Sequence, residues 1–151
     1  MPASVEILNA EKLLRKLTII PRAQKSEIQK AMGKKADEVT DMMRRLVPVL
    51  KKATRQRTPG ALRDSIVWAW GPKIPRDQLK RGTQRAPEHD DLVLTIVAGN
   101  NRAFYARWVE FGTSRARARP FFFVSWRAHR TSVRRRMREA ANKAAKRVAA
   151  T

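Results

Sequence analysis

The sequence has no cysteine, which excludes a disulfide framework, a zinc ribbon, an iron–sulfur site and a thiol nucleophile. It has two histidines, His89 and His129, too few for a multi-histidine metal centre. It has no apolar run near the roughly 18 residues that a membrane span needs. Its first residues carry Glu6 and Glu11 and lack the apolar core of a secretory signal. The expectation is therefore a protein made and used in a cytoplasm, or in a particle assembled there. Acids are scarce as well: 13 Asp and Glu stand against 34 Lys and Arg, a formal net charge of +21. Such an imbalance implies a polyanionic setting, whether nucleic acid, an acidic membrane surface or acidic proteins. A hydrophobic content of 42% separates the chain from disordered basic tails. Its 151 residues suit one domain, 1–151.

The charge is uneven: net +8 over residues 1–60, +2 over 61–112 and +11 over 113–151. A nearly neutral packed centre with basic outer elements follows. Residues 4–17 read as a short amphipathic helix with Ser4 as cap and Val5, Leu8, Leu13 and Leu17 near one face, so that 1–20 form an N-terminal helix or arm. Pro21 interrupts it. A long helix is predicted over about 22–53, where Ile28, Met32, Ala36, Val39, Met43, Leu46 and Leu50 recur at helical spacing. Pro48 must kink that helix or end it. After the Pro59-Gly60 turn, Ile66, Trp68 and Trp70 alternate with Val67 and Ala69 as in a strand, and Leu92 to Ala98 form a second. Residues 71–90, with three prolines, two glycines and few apolar residues, read as the extended tip of an antiparallel hairpin.

Residues 103–112 read as a short helix whose Ala103, Ala106, Phe104, Trp108 and Phe111 would pack on the sheet, with Gly112 as its exit. Pro120 suits the first turn of a last helix. There Trp126, His129, Val133, Met137, Ala140, Ala144 and Val148 form an apolar stripe, and Arg127, Arg130, Arg134 and Arg138 a second stripe beside it. Residues 141–151 are a basic C-terminal end.

Little here suggests catalysis. Glu88-His89-Asp90-Asp91 is the one meeting of acids with a histidine, but consecutive residues converge poorly on one ion, and a solvated loop is the simpler reading. No phosphate loop, serine elbow or triad-like set occurs, so no catalytic, metal or cofactor site is expected. His129 and the four tryptophans sit where the periodicity already calls for apolar side chains, which favours a core over base stacking. The arginine stripe is the strongest signal. A solvated helix face normally carries acids one turn away, and after Glu110 the chain has only Glu139. No zinc-finger, basic-zipper or helix-turn-helix pattern points to sequence-specific DNA reading.

Phe104-Tyr105-Ala106-Arg107-Trp108-Val109-Glu110-Phe111-Gly112-Thr113, followed by Ala118-Arg119-Pro120-Phe121, resembles a signature of tailed phages. It is similar to the tail-component or neck proteins of lambdoid siphophages, also described as head–tail joining or tail-completion proteins. Thr58-Pro59-Gly60-Ala61-Leu62-Arg63-Asp64-Ser65-Ile66 resembles the family's Thr-Gly-x-Leu-x-x-Ser-Ile turn, with Pro59 as a departure. The likeness covers about residues 23–140. Read physically, the motif of Glu110, Phe111, Gly112, Thr113, Arg119, Pro120 and Phe121 sets the angle between two helices. Glu110 is placed to pair with an arginine of the loop holding Arg115, Arg117 and Arg119 or of a neighbouring subunit.

The fold expected is α+β: a small, mostly antiparallel sheet packed with a long helix before it and another after it. The resemblance implies a virion protein assembled in the bacterial host cytoplasm. It would form a ring with copies of itself at the head–tail junction, between head-connector and tail proteins. Genomic double-stranded DNA would pass through its channel, with Arg127, Arg130, Arg134 and Arg138 facing DNA or a partner. The rivals are a tail terminator ring and a free DNA-binding protein.

Overall fold

The computed structural model describes residues 22–71 and 92–150. The N-terminal helix, the 71–90 loop beyond Gly71 and the Glu88–Asp91 cluster lie outside the described residues. Helix α1, Arg22–Leu46, leads to the single helical turn α2, Ala61–Asp64. Strands β1, Val67–Trp70, and β2, Leu94–Val97, follow, then the short helix α3, Ala106–Phe111, and the long helix α4, Phe122–Ala149. This is the expected α+β arrangement, with a two-stranded antiparallel sheet.

Proline decides where α1 ends. A helix through Pro48 would lose an amide donor and force the ring against the preceding turn, and the residue before proline avoids the α region. The helix therefore stops at Leu46, not near residue 53. The chain leaves the helix at Val47, whose side chain is buried, while Leu46 is left largely exposed. The inward stripe thus runs Val39, Met43, Val47 instead of continuing through Leu46 to Leu50.

Helices α1 and α4 pack antiparallel. Ile28 near the start of α1 clusters with Ala144 near the end of α4, together with Leu92. Met43, at the other end of α1, shares a larger core with Phe121 and Phe122 at the start of α4 and with Leu62, Ile66, Ala103 and Tyr105. Ile96 and Trp126 pack against its margin.

The hairpin is held to α1 by two polar clamps. The Trp68 indole Nε1 donates to the Asp37 carboxylate at 2.7 Å. Arg44 pairs with Asp41 at 2.9 Å and donates through Nη2 to the Ile66 carbonyl at 2.7 Å. Strand register places Val67 opposite Val97 and Trp70 opposite Leu94. Beyond the last pair, Gly71 donates its amide to the Val93 carbonyl at 2.8 Å and accepts from Thr95 Oγ1 at 2.6 Å. The buried Ser65 hydroxyl donates to Leu62 O and accepts from the Gly99 amide, joining α2 to the end of β2.

Gly33 lies in the middle of α1, where a Cβ would meet Trp68 Cη2 at 3.4 Å, an ordinary contact. A mid-helix glycine costs about 0.8–1 kcal/mol relative to alanine. Gly33→Ala is therefore expected to stabilise the fold by about 0.5–1 kcal/mol, seen as a higher urea midpoint with an unchanged m-value. A lower midpoint would show that the indole cannot accept the extra methyl.

Candidate functional site

The segment from α3 into α4 is organised by one carboxylate. Ala103, Ala106 and Glu110, spaced by 3 and 4, form the buried face of α3 and the turn before it. That turn is closed by Asn100, whose Oδ1 accepts the amides of Arg102 and Ala103 at 3.0 and 2.8 Å. Glu110 is 7% exposed. Its Oε2 accepts the amides of Phe121 and Phe122 at 2.8 and 2.9 Å, and its Oε1 accepts that of Phe123 at 3.0 Å. The first amides of a helix have no partner within it and carry the positive end of its dipole. Helix α4 has no acid in its own first turn, and Glu110 supplies the missing charge from 11 to 13 residues upstream. The sequence reading had this carboxylate pairing with an arginine. Instead it caps a helix, because buried backbone amides need an acceptor more than exposed guanidinium groups do.

The turn between the helices is built for this capping. Gly112 has φ 76° and ψ 179°, a region essentially restricted to glycine. A Cβ there would also lie 2.7 Å from Ala118 N. Thr113 pairs with Ala116 across a one-residue bridge, and its hydroxyl accepts the Ala116 amide at 3.0 Å. The Arg119 amide donates back to the Val109 carbonyl at 2.8 Å. Pro120 lies two residues before α4 and is exposed, so it precedes the first turn instead of forming it. Phe121 is 1% exposed in the main core, and Phe122 is buried beside it.

The aromatic side chains of α3 and of the turn before it are not where the sequence reading put them. Phe104 and Trp108 are each 49% exposed and Phe111 is 59% exposed. They share one outward face at i, i+4 and i+7, whereas the small residues and Glu110 turn inward. The sequence held the clue: Ala103, Ala106 and Glu110 form an equally regular face, and the need to cap α4 selects it. The tryptophans divide accordingly. Trp68 is buried, Trp70 and Trp126 are half-buried, and Trp108 faces outward.

On α4 the two stripes separate as the spacing implied. Trp126, His129, Val133, Met137 and Ala140 are half-buried and Ala144 is buried. His129 Nδ1 donates to the Ser125 carbonyl at 3.1 Å, a local contact within the helix. Arg127, Arg130, Arg134 and Arg138 are all exposed. The one acid of the helix, Glu139, lies beside Arg135 and Arg136. Among the described residues no cluster of three or more His, Asp or Glu could hold a metal ion. No described helix is long and apolar enough to cross a membrane.

Three substitutions test this segment. Glu110→Gln puts an NH2 group against an amide donor and removes the charge. It should cost about 1–3 kcal/mol in urea unfolding. Phe121→Ala should cost about 3–5 kcal/mol. Gly112→Val should prevent folding, because a β-branched residue tolerates neither that backbone nor the contact with Ala118. Parent-like unfolding curves for all three would remove the structural role given to the turn.

Comparison with curated proteins and with solved structures gave no match. A family model described as "Bacteriophage HK97-gp10, putative tail-component" matches residues 11–112. The match ends at the glycine that closes α3, so α4 and its arginines lie beyond it. Matched over most of its length, the chain belongs to the HK97-gp10-like family of bacteriophage tail components, structural proteins of the phage.

Proposed function

We propose that this tail component acts at the head–tail junction. Copies of the chain, each a single domain over 1–151, close a ring between the head connector and the tail, and the genome passes through it. The protein would be assembled in the bacterial host cytoplasm and reside in the virion. Its work there is geometric and electrostatic, not catalytic.

The observation that carries this reading is the exposed stripe of Arg127, Arg130, Arg134 and Arg138. At about 1.5 Å per residue these four span roughly 16 Å of helix. Duplex DNA offers one phosphate charge per roughly 1.7 Å of its axis, so such a helix meets phosphates at any register. Contacts of this kind hold DNA without reading its bases, which suits a channel through which every sequence must pass. Head-to-tail contacts between copies close into a ring when the rotation per copy divides a full turn. A net charge of +21 keeps free copies apart until anionic partners neutralise them.

The isolated protein is expected to bind duplex DNA of any sequence, with an affinity that falls steeply with salt. Changing all four arginines to glutamine should flatten the log–log salt slope by about three to four units, at about 0.9 per phosphate. The fold should be unchanged by circular dichroism. A variant that binds DNA like the parent but fails to join heads to tails in an infected-cell extract would turn the stripe towards a protein partner. Imaging of particle necks should show a closed ring of six or twelve copies. A single unpaired copy per particle would overturn the ring.

A further inference from the structure

A second basic surface on this chain differs in kind from the arginine stripe. Phe104, Arg107, Trp108 and Phe111 follow one another at i, i+3, i+4 and i+7, and all four are exposed. Phe104 and Trp108 meet edge to face, with centroids 5.6 Å apart. Phe111 extends the patch onto α4 through Phe123, 5.9 Å away. Beside it, residues 113–120 are exposed throughout and carry Arg115, Arg117 and Arg119. The close approach of Ala116 and Ala118 to Gly112 and the Arg119–Val109 hydrogen bond hold this loop against the end of α3. From residue 92 to residue 138 the one carboxylate is Glu110, and it is buried under the first turn of α4. Among the described residues, none of Arg107, Arg115, Arg117 and Arg119 pairs with an acid.

We infer that this aromatic patch with its arginine rim is a docking surface for an acidic, apolar-bearing segment of a different protein of the particle. The inference rests on the proposed place of the chain in a virion. Exposed aromatics with arginine are the composition of interface centres, where tryptophan and arginine carry much of the binding energy. The charge of the patch selects the occupant. A second copy of this chain is a poor match, because it carries the same net charge of +21, and the carboxylates among the described residues already have neighbours within their own chain. Glu27, Glu38, Asp41, Asp64 and Glu139 sit within ion-pair distance of Lys or Arg, Asp37 accepts from Trp68, and Glu110 accepts from backbone amides. Nucleic acid is also a weaker match. Phe104 and Trp108 meet edge to face as one apolar cover, and duplex DNA presents phosphates, not free bases, to such a cover.

The test is photo-crosslinking in assembled particles carrying Trp108→p-benzoylphenylalanine, a change from one large exposed aromatic to another. The expected adduct joins position 108 to an Asp- or Glu-rich segment of another particle protein, identified by mass spectrometry. An adduct to a second copy of this chain, or to DNA, overturns the inference and leaves the head–tail role standing. Absence of the chain from purified particles overturns both. In parallel, Arg115→Gln, Arg117→Gln and Arg119→Gln together, on an exposed loop, should lower the yield of joined particles at least tenfold. The melting temperature and the salt slope of DNA binding should be unchanged. Trp108→Ala should do the same. Parent-like yields from both variants overturn the inference.

Discussion

The architecture depends on one buried carboxylate meeting three backbone amides. Glu110 ends a short helix and begins a long one, so α3 and α4 cannot rotate independently without exposing or orphaning buried donors. That constraint fixes which face of α3 turns inward. It also fixes the direction in which α4 sets out to run back along α1, and it brings Phe121 and Phe122 into the core that Met43 and Ile66 line. Gly112 makes the geometry possible by taking a backbone conformation denied to other residues. The motif is therefore a joint, and what it joins is the family-matched body of the chain to a basic helix beyond the match.

The same carboxylate shapes the electrostatics. Burying Glu110 removes the only acid between residues 92 and 138 from the surface. The remaining described acids sit beside lysines and arginines of their own neighbourhood or, for Asp37, hold an indole. Exposed pairs of this kind add little stability, but they leave the positive charge of the outer elements uncompensated. A surface so one-sided destabilises the isolated compact chain by self-repulsion, so its logic lies in an anionic environment.

Much of the frame was legible in the sequence because it rests on periodicity. The spacing from Ile28 to Met43 and from Trp126 to Ala144 gave both long helices, and the alternation around Trp68 with the stretch Leu92 to Ala98 gave the hairpin. Two features escaped. The end of α1 depended on whether Pro48 kinks or terminates, and the local rule allowed both. The helix stops, and Val47 joins Leu62 and Ile66 in the core. The orientation of α3 depended on a contact between Glu110 and amides more than ten residues away. The sequence put Ala103 and Ala106 on the sheet together with Phe104, Trp108 and Phe111, but capping α4 through Glu110 turns the small residues inward and leaves the three aromatics outside. The stripe of Arg127 to Arg138 was visible as a pattern, but a pattern of like charges names only the sign of its partner.

Two positive surfaces on one chain need not compete for the same anion. The α4 stripe offers charge without shape: four exposed guanidinium groups on one helix, whose proposed attraction to DNA would act through counterion release and fade as salt rises. The α3 surface offers charge around an apolar centre, where burial of aromatic area persists in salt and the arginines steer and orient. A uniform polyanion satisfies the first as well as any partner could. It satisfies the second poorly, because nothing in a phosphate backbone covers Trp108 and Phe111. The joint at Glu110 holds these surfaces at a fixed angle on consecutive elements. The inferred partner on α3 would therefore set the direction in which α4 presents its arginines.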